Sequence, residues 1–290
     1  MSVRYPRNVA DGPATIHELV TEARAHGLHP VTERLVRDWT EIGLLARPEF
    51  RKSSRHGSDP ALYPPGQRRL FLHLLCARGQ LPQSPRHVRN VLVRMLITGW
   101  LHQFPFRIPT SQARRALRTM TLASRCLPSA YARRDAEAVV TQVAHSSAPE
   151  RQRRLAVQAL TECMQSGVWE WGRVHSVLTV VCSPWSPVRP GCRVERGLEF
   201  GGLPTGIDEV VAALRSTVGI QDLLRTESVR EDLLDEARAT YFRKWGQKYL
   251  LDFVMLFAAS MEEPPPPTPD LSGDAIGGFL AELAYVVNQA

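Results

Sequence analysis

Cysteine is sparse: Cys76, Cys126, Cys163, Cys182 and Cys192 are five, an odd number, with no C-x-x-C pair among them. That usage excludes a disulfide framework and is the usage of a reduced, cytoplasmic chain. Long apolar runs are missing as well. The longest, residues 249–259, is interrupted by Asp252 and falls well short of the roughly 20 residues that cross a bilayer. No apolar stretch follows a basic start, as a secretory signal requires, so no membrane partner is expected. The sequence also lacks a G-x-S-x-G elbow, a phosphate-binding glycine loop, an H-E-x-x-H helix and a histidine-aspartate cluster. His175 is the only histidine near Cys182 and Cys192, too few ligands for structural zinc. Neither an enzyme, nor a cofactor, nor a metal site is expected.

What the chain does contain is a core and an uneven charge. Its 290 residues are 43% apolar, enough for two domains. The net charge of +7 conceals an asymmetry: residues 1–120 hold 19 Lys or Arg against 8 Asp or Glu, and the remainder 17 against 21. A basic amino-terminal part on a mildly acidic remainder is the pattern of a polyanion-binding module joined to a partner domain.

The most informative stretch is residues 31–67, VTERLVRDWTEIGLLARPEFRKSSRHGSDPALYPPGQ. Thr32 is suited to cap a helix by accepting from an unpaired first-turn amide. Leu35, Val36, Trp39 and Ile42 follow at helical spacing, leaving Arg34, Arg37 and Glu41 outward. Gly43 closes the helix in a left-handed conformation and lets Leu44 and Leu45 fold back on the apolar stripe. Upstream, Thr15 and Glu18 make a capping box for a first helix carrying Ile16, Leu19, Val20 and Ala23, which ends at Gly27. Downstream, Arg47, Glu49 and Arg51 alternate with Pro48, Phe50 and Lys52 before a polar tip, a weak hairpin signal. A new helix starts near Pro64 or Pro65.

In this order, the V-T-x-x-x-(aliphatic)-R-x-W core, the I-G-L-L stop and Tyr63 after a basic loop resemble the DNA-binding domain of the mercury-resistance-regulator (MerR) family over about residues 14–80. The resemblance implies a winged helix-turn-helix whose second helix enters the major groove of double-stranded DNA, with a β-hairpin wing on flanking phosphates and binding as a homodimer. It implies base-edge contacts from Glu33, Arg34 and Arg37, and positioning contacts from Thr32, Trp39, Arg51, Lys52, Arg55 and Tyr63. The chain departs from the family at Asp38, where a tyrosine is common, and at Ala61, where an arginine is. Asp38 is expected to pair with Arg34.

The expected architecture is mainly α: a basic arm (1–13), a winged helix-turn-helix (14–82), a helical accessory region (83–166), an irregular proline- and glycine-rich connector (167–206) and a helical dimerisation or effector domain (207–290). In the accessory region the segments 110–126, 129–146 and 149–166 read as moderate helices. Residues 226–260 read as the longest helix, with Leu233, Leu234, Ala237, Tyr241, Trp245, Tyr249, Phe253 and Phe257 inward, and 273–288 as a last helix packed across it. The family's long helix directly after the wing domain is missing, because Phe104, Pro105, Phe106 and Pro109 break the run. The function these expectations describe is a transcriptional regulator with a small-molecule or protein effector at its C-terminal part. Two alternatives stand beside it: an excisionase-like or architectural DNA-binding factor, and a protein-interaction module that does not bind DNA.

Overall fold

Thr15 starts the first helix with two reciprocal bonds: its hydroxyl accepts from the Glu18 amide at 3.2 Å, and the Glu18 carboxylate accepts from the Thr15 amide at 2.7 Å. This capping box satisfies two amides that have no partner within the helix. The computed structural model describes residues 12–28, 30–49, 60–81, 85–103, 106–124, 129–182, 198–200, 203–246 and 271–289. Helix α1 is Ile16–Ala25 and α2 is Glu33–Glu41. Both end in the same way. Gly27 (φ 72°) and Gly43 (φ 85°) adopt the left-handed conformation, and the next amide reaches back to the helix: Leu28 N to Ala23 O at 3.0 Å, Leu44 N to Trp39 O at 2.8 Å. These bonds satisfy carbonyls that a bare helix end leaves exposed. Between the two helices, the Arg24 guanidinium donates twice to the Val31 carbonyl, at 3.2 and 2.9 Å, and so ties a connection longer than a tight turn.

The remaining helices are α3 (Gln67–Gln80), α4 (Pro85–His102), α5 (Thr110–Ser124), α6 (Ser129–Val143), α7 (Glu150–Ser166), α8 (Trp171–Cys182), α9 (Ile207–Arg225), α10 (Glu231–Tyr241) with a π-helical turn Phe242–Gly246, and α11 (Leu271–Gln289). A two-stranded antiparallel hairpin, β1 (Leu198–Phe200) and β2 (Leu203–Thr205), pairs Leu198 with Thr205. The protein is therefore mainly α. Three of the expected helices, at 110–126, 129–146 and 149–166, form as α5, α6 and α7 within a few residues of the expected bounds. No described helix is long and apolar enough to cross a membrane.

The chain divides into two compact units, residues 1–120 with 223–290, and residues 121–222. In the first, α1 packs on α2 and α3, α3 on α4, and α4 and α10 on α11. Its core holds Leu19, Val36, Leu44, Leu45, Phe71 and Leu74 near the amino end, and Trp100, Tyr241, Phe279 and Leu283 among α4, α10 and α11. Trp100 and Phe279 meet edge to face with centroids 5.3 Å apart, a geometry worth roughly 1 kcal/mol beyond area burial. The second unit packs α6, α7 and α8 around Val140, Ala156, Leu160, Val174 and Leu178, together with Ile207, Val210 and Val211.

This partition corrects the expected domain map. The stretch 167–206 is not an irregular connector throughout: its residues 171–182 are helix α8, whose Val174, Leu178 and Val181 are fully buried. The period of the stretch 174–181 alone fits strand or helix, and packing decides for helix. Nor does 207–290 stand apart, since α10 and α11 share a core with α4. The long helix expected from Thr226 begins instead at Glu231; Thr226 and Ser228 bond each other at 2.8 Å in the turn before it. Its continuation beyond residue 246, with Tyr249, Phe253 and Phe257, lies outside the described residues. The last helix forms as expected, with Ile276, Phe279, Leu280, Leu283 and Val286 buried.

Candidate nucleic-acid interface

Helix α2 buries one face and exposes the other. Val36 (0% exposed), Trp39 and Thr40 face the core, and the Trp39 ring meets Phe71 of α3 edge to face at 5.5 Å. Thr32 caps the helix, accepting from the Leu35 amide at 3.2 Å. On the opposite face stand Glu33, Arg34, Arg37 and Asp38, linked along the helix at i, i+4. Arg37 bonds Glu33 at 2.8 Å and Arg34 lies 4.0 Å from Asp38. The Arg34 side chain is 91% exposed and that of Arg37 67%. Exposed pairs of this kind contribute about 0.3–0.5 kcal/mol, so either arginine is free to exchange its carboxylate for another anion. The expected pairing of Asp38 with Arg34 is present.

Of the nine residues that the resemblance assigns to DNA, the structure gathers Thr32, Glu33, Arg34 and Arg37 on the outer side of α2. Two are corrected. Trp39 is 5% exposed and Tyr63 3%. The Tyr63 hydroxyl bonds the Thr40 hydroxyl at 3.0 Å, and burial pushes its pKa up. Trp39 packs the inner face of α2 against Phe71, and Tyr63 supports the same helix from outside it through its bond to Thr40. Arg51, Lys52 and Arg55 lie outside the described residues.

The expected wing hairpin is not seen among the described residues. Glu49 and Leu62 exchange both backbone bonds, at 2.8 and 3.0 Å, and Tyr63 pairs likewise with Ala14, at 2.7 and 3.2 Å. These are single bridges, not paired strands. They bring the residues just ahead of α1 beside those just ahead of α3, and Arg47 in the intervening chain is exposed.

No family model, curated protein or solved structure matches the chain. The functional reading therefore rests on geometry.

Sequence reasoning missed the support of this site. The turn after α2 is held from the rear by one face of α5. The Arg115 guanidinium, 9% exposed, donates to the carbonyls of Thr40 (3.3 Å), Leu45 (2.9 Å) and Ser111 (3.1 Å). The Gln112 amide donates to Leu44 O at 2.9 Å, and Thr119 to Ile42 O at 3.0 Å. Gln67 completes the set: its carbonyl accepts from the Ala46 amide at 2.9 Å and its amide donates to Gln112 at 3.2 Å. Burial draws the Arg115 pKa below its ordinary value, yet the carbonyl end of α2, which carries partial negative charge, favours a cation there. Spacing gave one hint: Gln112, Arg115 and Thr119 stand at i, i+3 and i+7 on α5. Nothing in the sequence says what that polar face touches.

A second feature beside α2 is an open groove between its C-terminal half, the end of α3 and the start of α4. Leu35, Trp39, Ile42, Leu81, Val88 and Leu92 line it, with Asp38, Glu41, Arg78 and Arg89 among its polar residues.

Proposed function

We propose that the protein is a sequence-specific DNA-binding regulator that reads double-stranded DNA with α2. The observation that carries this reading is the outward face of α2, which presents Glu33, Arg34 and Arg37 while Val36, Trp39 and the α5 contacts hold its other side. A seated helix with exposed arginines, held only by exchangeable surface pairs, suits the major groove, where a guanidinium reads guanine through two parallel bonds. The basic excess of residues 1–120 and the exposure of Arg47 support phosphate contacts around it. The winged form, the resemblance to MerR regulators and a homodimer on an inverted repeat belong to the same proposal.

The test is selection of duplexes from a randomised pool, followed by affinity measurement at several salt concentrations. Enrichment of a defined sequence is expected, with Arg37→Ala weakening binding to it by roughly 1–3 kcal/mol and affinity falling steeply as salt rises. Failure to enrich any sequence, at low as well as moderate salt, contradicts the reading.

A second reading has its own observation. Two arginines on the outer face of α2 stand beside three carboxylates, Glu33, Asp38 and Glu41, so the face as it stands carries one more negative than positive charge. Such a face also suits a protein partner of mixed charge. In that case binding to DNA is weak, insensitive to sequence and unaltered by Arg37→Ala.

A further inference from the structure

The face of α5 opposite its hold on α2 is itself fastened, to residues more than a hundred positions away in sequence. Thr110 donates to the Asp235 carboxylate of α10 at 2.7 Å. Arg118 pairs with the Glu227 carboxylate at 2.7 Å. Arg114 donates to the Glu227 carbonyl and stands 3.9 Å from Glu231. Glu227 lies in the turn between α9 and α10 and adopts a left-handed backbone, φ 54°. For a residue with a side chain that conformation is disfavoured, and strain of this kind persists only where its surroundings enforce it. Here two arginines of α5 do so, one through the carbonyl and one through the carboxylate.

One helix therefore connects two places by short bonds. Its Gln112, Arg115 and Thr119 hold the carbonyls of Thr40, Ile42, Leu44 and Leu45, and its Thr110, Arg114 and Arg118 hold Glu227 and Asp235. We propose that Gln112 and Arg115 are positioning residues for α2, and that the segment around Glu227 and Asp235 sets the position of α2 through them. A ligand or partner acting on α10 then reaches the reading helix through α5 without touching it. Gly43 makes the coupling stiff, because α5 backbone lies directly against it: a side-chain carbon on Gly43 would stand 2.8 Å from the Arg115 carbonyl carbon, closer than such contacts occur. No side chain cushions the joint. The consequence for binding rests on the DNA-reading proposal; the coupling does not.

Amide hydrogen exchange on the full chain without DNA tests the coupling. The double variant Glu227→Ala with Asp235→Ala changes residues remote in sequence from the turn 42–46. It is expected to speed exchange of the Leu44, Leu45 and Ala46 amides severalfold, while amides of α1 and of α7 keep their rates. Arg115→Met, which keeps the bulk and loses the donors, is expected to speed them further. Unchanged exchange at 44–46 in the double variant overturns the proposal, as does an equal acceleration throughout residues 1–120, which is general loosening. Should Arg115→Met fail to fold, the double variant decides alone. With a duplex selected by the wild-type protein, the double variant is also expected to lose about tenfold in affinity. If the wild-type protein selects no duplex, the DNA reading fails and the exchange result still judges the coupling.

Discussion

Gly43 packs directly on the backbone of Ala116: a side-chain carbon at Gly43 would collide with the Ala116 nitrogen and lie 2.9 Å from its Cα. Glycine is thus required twice at this position, once for the left-handed turn that ends α2 and once for the approach of α5. Gly43→Ala meets a conformational penalty of about 1–2 kcal/mol and an overpacking penalty of similar size. A loss of about 3 kcal/mol or more in urea unfolding is expected. A change within about 0.5 kcal/mol, the range of ordinary surface substitutions, would contradict the contact.

Trp39 and Arg37 are two positions apart and should separate stability from binding. Trp39→Ala removes a buried ring from between α2 and α3 and should cost about 3–5 kcal/mol. Arg37→Ala removes an exposed pair and should leave the unfolding midpoint within about 0.5 kcal/mol while weakening DNA. Thermal and urea unfolding of both variants check the assignment of Trp39 as scaffold.

Tyr63→Phe deletes a buried hydroxyl and leaves Thr40 its bond to the Val36 carbonyl at 2.8 Å. The expected cost is about 1 kcal/mol, with DNA affinity unchanged. An affinity loss without a stability loss would restore Tyr63 as a contact.

Acid should destabilise the protein through His102, which is buried, and His73, which is half-buried. His73 packs against the Phe106 ring at 5.4 Å, and burial lowers its pKa to about 4. Burial lowers that of His102 as well. The unfolded chain, with histidine near about 6.5, binds the proton first as pH falls. The contribution of His73 is therefore full well above about pH 6.5 and is lost as pH falls from there towards about 4. His73 alone should remove about 2 kcal/mol between about pH 7.5 and about pH 5. Urea midpoints at the two pH values measure this, and His73→Phe should lessen the dependence, with the His102 share remaining.

The elements legible in the sequence were those written in local chemistry. Thr15 with Glu18, Thr32, Gly27 and Gly43 each specify a helix end through bonds made within a few residues, and all four act as their positions imply. What local chemistry does not carry is partner choice. The period of α8 fits strand as well as helix, and only the core of α6 and α7 decides it. Trp39 and Tyr63 are amphipathic rings whose polar edges suit a surface or an interior equally. The hold of α5 on the turn 42–46 joins residues about 70 positions apart, and its polar face alone reads like any solvated helix.

DNA reading by α2 is proposed to run through Arg34 and Arg37. Its most direct test is recovery of bound fragments from randomised duplex DNA by the wild-type protein and by the double variant Arg34→Ala with Arg37→Ala, after unfolding curves show both equally stable. The account predicts one recurrent sequence enriched by the wild type and lost by the variant. Enrichment of the same sequence by both proteins, or of none by the wild type, would contradict it.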